Sequence, residues 1–162
     1  MSEEKKISFT LNGEKQTFLI QPNEKLSTLL RRSSYKGLKI GCEEGSCGAC
    51  TVLWDGQAVC SCILYAFQAE GRRVETIEAL GDFDNPHPIQ TALVEEGAVQ
   101  CGYCTPGFIL AAKALLDEDP DPSEEKMMEY LDGNLCRCTG YEKIWTALRR
   151  VVSSSKAEVS NG

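Results

Sequence analysis

The sequence predicts an α+β fold in which a small mixed sheet, crossed by one helix, is followed by a bundle of four short helices. Two observations support this prediction. The first half alternates apolar and polar residues on both sides of two short turns, as half-buried strands do. The second half places apolar residues at helical spacing behind residues that commonly begin helices.

Each element of the first half has a local signal. The Asn-Gly pair at 12–13 and the Asp-Gly pair at 55–56 predict two hairpins, the first with a type I′ turn. A short amphipathic helix is expected near residues 23–32, and a last strand near residues 73–77. A glycine-rich loop with three cysteines lies between the helix and the second hairpin, at residues 41–50.

The helices of the second half are marked by their first residues. A Thr-Pro pair begins one at 105–106, and the segment Asp-Pro-Ser-Glu at 121–124 begins another. Thr139 with Glu142 forms a capping box that predicts a third helix. A weaker helix is expected near residues 88–96.

A cluster of Gly, Asp, Asn and Pro at residues 80–88 separates the two halves. A chain of 162 residues can form one domain or two small ones. We therefore expect a first domain over residues 1–79, a helical domain over residues 80–152 and a flexible tail over residues 153–162.

Composition and charge restrict the classes of function. No apolar run reaches the roughly 18 residues of a membrane span, and the N-terminus lacks the apolar core of a signal peptide. We therefore expect a cytoplasmic protein with no membrane role. The net charge is −7 and all of it comes from residues 79–162, which argues against nucleic acid as a partner. In a reducing compartment, a chain with nine cysteines is expected to use them as metal ligands and not in disulfide bonds.

The first group of cysteines has the C-x4-C-x2-C spacing of plant-type [2Fe–2S] ferredoxins, with Cys42, Cys47 and Cys50 as its members. Glycines between them allow a tight loop whose backbone N–H groups point at cluster sulphurs. A zinc site usually repeats two close pairs, and these three cysteines do not. The fourth thiolate is Cys60 or Cys62. Both lie on the same face of a strand, so alternation does not choose between them.

The second group consists of two close pairs, Cys101 with Cys104 and Cys136 with Cys138. Cys104 immediately precedes one predicted helix, and Cys138 immediately precedes the helix capped by Thr139. Two helix N-termini are therefore expected to face the site, and their dipoles favour an anionic iron–sulphur cluster. A zinc tetrathiolate is anionic too, so this arrangement alone leaves zinc open.

Three motifs in this order closely resemble the small iron–sulphur subunit of molybdenum hydroxylases, the xanthine dehydrogenase and aldehyde oxidase family. They are GCEEGSCGACTV at 41–52 followed by SC at 61–62, QCGYCTPG at 100–107, and GNLCRCTGY at 133–141. The resemblance covers residues 7–152, essentially the whole folded chain. It implies a β-grasp ferredoxin-like domain followed by a four-helix bundle.

The resemblance also implies which residues form the sites. Cys62 is then the fourth ligand of the ferredoxin-like cluster, and Cys60 is a spare thiol. Gln100 and the backbone around Cys138 are expected to contact a molybdenum–pterin cofactor. The implied metal ligands are Cys42, Cys47, Cys50, Cys62, Cys101, Cys104, Cys136 and Cys138.

The function that the resemblance implies is electron transfer within an oxidoreductase. Substrate is hydroxylated at the molybdenum–pterin cofactor of a large subunit, and electrons pass through two [2Fe–2S] clusters to FAD in a medium subunit. The cluster of the helical domain is expected nearer the molybdenum, and the ferredoxin-like cluster nearer the flavin. No substrate site is expected in this chain, and the sequence does not specify the substrate; a xanthine dehydrogenase-like complex is our first hypothesis.

Two other hypotheses fit the cysteines, namely a free-standing two-cluster ferredoxin and a zinc-stabilised interaction module. The single histidine, His87, lies between prolines, so a Rieske-type histidine pair is excluded and no role is expected for it. The chain has no G-x-G-x-x-G motif for a nucleotide cofactor and no nucleophile with its base. The chemistry is therefore expected to belong to the clusters.

Overall fold

The computed structural model describes the backbone of residues 4–160 and the side chains of residues 4–154. Its strands are β1 (Lys5–Leu11), β2 (Glu14–Ile20), β3 (Thr51–Trp54), β4 (Gln57–Cys60) and β5 (Arg73–Glu75). Its helices are α1 (Leu26–Arg32), α2 (Pro88–Glu95), α3 (Thr105–Glu118), α4 (Glu124–Leu131) and α5 (Glu142–Ser160). Over this part of the chain, no helix is both long enough and apolar enough to cross a membrane.

The strands form one mixed sheet in the order β2-β1-β5-β3-β4. β1 pairs antiparallel with β2 and parallel with β5, whereas β3 pairs antiparallel with both β4 and β5. Both hairpins turn through residues with positive φ, which are Asn12 at 52°, Gly13 at 84°, Asp55 at 51° and Gly56 at 92°. Positive φ at both central residues is the signature of a type I′ turn, so both predicted hairpins are confirmed.

One face of the sheet is covered by α1. Alternate residues of β1 and the apolar side of α1 share a core in which each side chain is at most 1% exposed. These residues are Ile7, Phe9, Leu11, Leu26, Leu29 and Leu30. Alternate residues of a strand lie on one face, and residues three or four apart lie on one face of a helix, so these six side chains meet between β1 and α1. The predicted sheet crossed by one helix is therefore confirmed.

On the opposite face of the sheet, β3 and β4 are covered by α3. Val52 of β3 belongs to the core beneath α1, whereas the next residue, Leu53, packs into the helical core with Phe108 and Leu115 of α3. Successive strand residues point to opposite faces, so β3 is buried on both sides. The two halves of the chain are thus packed together through a shared strand.

The first residues of α4 and α2 show what the sequence prediction did not include. α4 begins at Glu124 behind Ser123, whose hydroxyl oxygen accepts a hydrogen bond from the backbone N–H of Lys126, and not at the Asp-Pro pair before it. α2 is capped by His87, whose Nδ1 accepts a hydrogen bond from the backbone N–H of Ile89 at 3.3 Å. His87 therefore has a structural role that its position between prolines does not reveal.

The predicted flexible tail is helical as far as it is described. α5 continues to Ser160, and the hydroxyls of Ser153 and Ser154 donate hydrogen bonds to carbonyl oxygens four residues earlier. Residues 142–161 contain neither Gly nor Pro, so no helix-stopping residue ends α5 at Ser153. The last two residues of the predicted tail lie outside the described residues.

Candidate metal centres

The first cysteine loop joins α1 to β3 and has no regular secondary structure. Two of its glycines have left-handed backbone conformations, Gly45 at φ 85° and Gly48 at φ 69°. A Cβ atom at Gly45 would lie 2.9 Å from the side chain of Ile63, and one at Gly48 would lie 2.4 Å from Nδ2 of Asn134. Glycine is required at both positions, as expected for a tight loop.

The thiols of the first site meet in pairs. Cys42 is hydrogen-bonded to Cys47, and Cys50 is hydrogen-bonded to Cys62. Cys60, at the end of β4, is hydrogen-bonded to Cys50 as well. The structure therefore brings five thiols together and does not distinguish Cys60 from Cys62, so Cys62 as the fourth ligand stays a prediction.

Hydrogen bonds and burial give these thiols different acidities. The backbone N–H of Glu44 is the main cause that lowers the pKa of Cys42 to about 6. Burial raises the pKa of Cys62 to about 11, and the hydrogen bond that the Cys50 thiol donates to Cys60, together with burial, raises the pKa of Cys50. Because a metal ligand must be a thiolate, Cys42 is ready to bind at neutral pH, whereas the buried thiols lose their protons as metal binds.

The second site forms between two loops of the helical half. Cys101 and Cys104 precede α3, and Cys136 and Cys138 lie between α4 and α5. The Sγ atoms of Cys101 and Cys138 are 3.5 Å apart, and Cys104 is hydrogen-bonded to Cys136. These thiols thus also meet as two pairs. Cys104 is the N-cap residue of α3, so the positive end of that helix faces the site.

The predicted capping box at Thr139 is wrong. α5 begins at Glu142, and the Thr139 hydroxyl and backbone N–H donate to Sγ of Cys136 at 3.1 Å and 3.5 Å. Burial disfavours the Cys136 thiolate, but these two hydrogen bonds, together with those from the Cys138 backbone and the Cys104 thiol, outweigh burial and lower the pKa of Cys136. α5 therefore begins four residues after Cys138, and Thr139 supplies hydrogen-bond donors to Cys136 instead of capping that helix.

One edge of the second site lies at the surface. Gln100, Cys101, Arg137 and Cys138 are all exposed. The backbone N–H of Tyr103, followed by the hydrogen bond from Cys138, lowers the pKa of Cys101. Another molecule can therefore reach the edge where the sequence predicts contact with a pterin.

The cavity at the second site, of about 160 Å³, extends to one cysteine of the first. Its walls include Cys47 of the first site and all four cysteines of the second. The backbone N–H of Leu135 donates to the carbonyl oxygen of Cys47 at 3.0 Å, and the Tyr103 hydroxyl donates to the carbonyl oxygen of Ile40 at 2.7 Å. The sequence does not predict these links, because a contact between distant loops leaves no local pattern.

The donor sets fit a [2Fe–2S] cluster at both sites. All nine cysteines are free thiols. Four thiols in two pairs match a cluster of two irons with two thiolates on each. Among the described side chains of residues 4–154, three or more possible metal-binding groups do not converge on one point. Peptide N–H groups that hydrogen-bond to the thiols complete a typical iron–sulphur environment.

Two family models match consecutive parts of the chain. The model for a 2Fe-2S iron-sulfur cluster binding domain matches residues 9–76, and the model for a [2Fe-2S] binding domain matches residues 76–149. Together they cover both cysteine groups. They favour iron–sulphur clusters over the zinc-stabilised module.

Several characterised proteins are similar over nearly their whole length. The nicotinate dehydrogenase small FeS subunit of Eubacterium barkeri is 48% identical over 90% of this chain and 94% of its own. The nicotine 6-hydroxylase small subunit of Paenarthrobacter nicotinovorans is 44% identical over 91% of this chain and 89% of its own. A chain of quinoline 2-oxidoreductase from Pseudomonas putida 86 superimposes with a TM-score of 0.90 at 40% identity, covering 96% of this chain and 98% of that one.

These similarities agree with the geometry. The ferredoxin-like domain followed by a helical domain is confirmed, and a subunit of a larger enzyme is favoured over a free-standing carrier. The relatives named small subunits imply larger partner subunits. The chain belongs to the family of small iron–sulphur subunits of molybdenum hydroxylases, and it carries two [2Fe–2S]-binding domains for electron transfer within an oxidoreductase.

Proposed function

We propose that the chain carries electrons from a molybdenum–pterin site in a large subunit to FAD in a medium subunit of a xanthine dehydrogenase-like complex. The observation that carries this proposal is the cavity shared by Cys47 and the four cysteines of the helical domain. The two sites are close neighbours, as two centres that exchange electrons need to be.

Two sets of four thiolates would hold the clusters. The first set is Cys42, Cys47, Cys50 and Cys62, and the second is Cys101, Cys104, Cys136 and Cys138. Each bound cluster supplies a centre that accepts and releases one electron. The chain itself positions thiolates and aims N–H and O–H donors at them, as Thr139 does at Cys136. We place the domain boundary at 79/80, close to residue 76, where the two family models meet.

The exposed edge of the second site is the proposed contact with the large subunit. Gln100 and Cys138 lie there, and an amide can both donate and accept hydrogen bonds to the polar edge of a pterin. The ferredoxin-like site would then face the medium, FAD-binding subunit. Free thiols at all nine cysteines support a reducing, cytoplasmic location.

The names of several relatives support a proposal for the substrate class. The names of three similar proteins refer to nicotinate, nicotine and quinoline, which are all aromatic nitrogen heterocycles. We therefore propose a heterocyclic substrate of this kind for the complex. Its binding site would lie in the large subunit.

The experiment that tests this proposal replaces Gln100 in the assembled complex. Gln100→Ala leaves pterin atoms unpaired, at a cost of roughly 1–3 kcal/mol, without touching a thiolate. We expect full iron content and slower reduction of the clusters by substrate, measured by rapid-mixing absorbance. Gln57→Ala removes an exposed amide on β4 and serves as the control. An unchanged rate in Gln100→Ala would remove Gln100 from the pterin contact, and lost iron would make it a support of the cluster instead.

A further inference from the structure

Asn134 is a buried polar residue of the helical half whose side chain reaches into the other half. It is 6% exposed and lies two positions before Cys136. Its Nδ2 donates a hydrogen bond to the carbonyl oxygen of Gly48 at 3.1 Å, 86 residues away in the sequence. Gly48 lies between Cys47 and Cys50 in the first cysteine loop. Asn134 thus lies in the loop that carries Cys136 and Cys138, and it hydrogen-bonds to the backbone of the first cysteine loop.

Two further donors fix the same stretch of backbone. The Thr51 hydroxyl donates to the Gly48 carbonyl oxygen at 2.7 Å, and the backbone N–H of Leu135 donates to the carbonyl oxygen of Cys47 at 3.0 Å. Space around this stretch is tight, because a Cβ atom at Gly107 in the first turn of α3 would lie 2.2 Å from the Gly48 carbonyl oxygen. These hydrogen bonds and the close packing therefore fix the orientation of two peptide groups, the one that follows Cys47 and the one that follows Gly48.

The orientation of these peptide groups decides where their N–H groups point. In a trans peptide the carbonyl and the N–H of the next residue point in opposite directions. The Gly48 carbonyl points at Asn134, so the N–H of Ala49 points the other way, and this N–H is one of the groups that favour the thiolate of Cys47. The Cys47 carbonyl points at Leu135, and the N–H of Gly48 hydrogen-bonds to the thiol of Cys60.

We propose that Asn134 is a positioning residue for the ferredoxin-like cluster, acting from the helical domain through the Gly48 peptide. It holds the Ala49 N–H on the sulphur of Cys47. Hydrogen bonds to cluster sulphurs are one of the factors that set the reduction potential, since they stabilise the more negative, reduced state. This inference rests on the proposed function, because it assumes that Cys47 ligates a cluster.

The test is a redox titration of both clusters in the holoprotein, followed by EPR. Asn134→Leu keeps the approximate size of the side chain, removes the donor and adds no charge, and Asn134→Ala removes the contact. We expect the equilibrium constant for reduction of the ferredoxin-like cluster to fall about tenfold, which is about 59 mV for a one-electron step. The potential of the second cluster is expected to stay the same. Leu135→Ala is the control, because its exposed side chain is lost while its backbone N–H remains.

A second pair of variants covers the case in which Asn134 variants do not fold. Thr51→Val keeps the shape and removes the hydroxyl donor to Gly48, whereas Thr51→Ser keeps the donor. We expect Thr51→Val to lower the same potential and Thr51→Ser to restore it.

Three results would overturn the inference. They are unchanged potentials in folded Asn134 variants, equal shifts of both clusters, and an unchanged potential in Thr51→Val. A wild-type protein without iron would instead overturn the proposed function, so the two failures are distinguishable.

Discussion

Cys60 and Cys62 stand two positions apart at the end of β4, and both reach Cys50. The local spacing of the other seven cysteines was enough to assign them to two groups. Spacing fails for this pair because two cysteines two residues apart are both within reach of the site: Cys60 is the last residue of β4, and Cys62 lies in the turn after it. Cys62 is 2% exposed and Cys60 is half-buried, a difference that either a ligand or a spare thiol can show.

Serine substitutions separate the two thiols. We expect Cys62→Ser to lose the ferredoxin-like cluster, and with it about two of about four irons, because a serine oxygen is a poor ligand for a site built from thiolates. Cys60→Ser is the matched control and keeps both clusters. Iron analysis and EPR of the reduced proteins measure the outcome. If Cys60→Ser lost one signal and Cys62→Ser kept both, the assignment would be reversed.

His87 ties the stability of the protein to pH. Burial lowers the pKa of His87 below its ordinary 6.5, with Lys113 lowering it further and Asp117 opposing. The unfolded chain therefore binds a proton more readily than the folded one, so this contribution to stability is intact above about pH 6.5 and is lost as pH falls through the folded pKa. Protonation of Nδ1 also removes the acceptor that caps α2.

Urea unfolding at pH 8 and at pH 6 checks this prediction. We expect His87→Ala to lose about 1 kcal/mol at pH 8, the usual value of an N-cap. His87→Asn keeps an acceptor that does not titrate, so it is expected to match the wild type at pH 8 and to lose less stability at pH 6. Equal losses in the wild type and in His87→Asn would show that His87 does not titrate on unfolding.

Among the secondary-structure elements, the features that depend only on neighbouring residues could be predicted from the sequence. The Asn-Gly and Asp-Gly turns were correct because positive φ at both central residues is a property of those residues themselves. The capping box at Thr139 was wrong because the thiol of Cys136, three residues earlier, binds the same hydroxyl. The packing of α3 on β3 is a long-range contact. Its only signal in the sequence is that Leu53 is apolar although the residue before it, Val52, already faces the core beneath α1.

The contact between α3 and the first cysteine loop depends on Gly107. A Cβ atom there would lie 2.2 Å from the Gly48 carbonyl oxygen, which is backbone and cannot rotate away. We expect Gly107→Ala to destabilise the holoprotein by about 1–3 kcal/mol, as overpacking does. Gly133→Ala is the control, because no atom lies within 4 Å of a Cβ at that position. Denaturant unfolding with parallel iron analysis tests the pair, and equal stability would contradict the tight contact.

At the scale of the whole molecule, two cores share the strand β3, and the cavity at the second cysteine site extends to one cysteine of the first. The motifs predicted both sites and their order along the chain. They did not predict that the sites are neighbours, because that depends on Tyr103, Asn134 and Leu135 bonding across the two halves. This arrangement is what a chain needs in order to connect two redox partners.

The measurement that tests the account most directly is the metal and sulphide content of the purified chain. Two sites of four thiolates each predict about four irons and about four acid-labile sulphides per chain, two of each per cluster. Zinc is expected well below that occupancy, and the reduced protein is expected to give two separable EPR signals. One zinc per site with no labile sulphide would contradict the central claim that this chain is a two-cluster electron-transfer subunit.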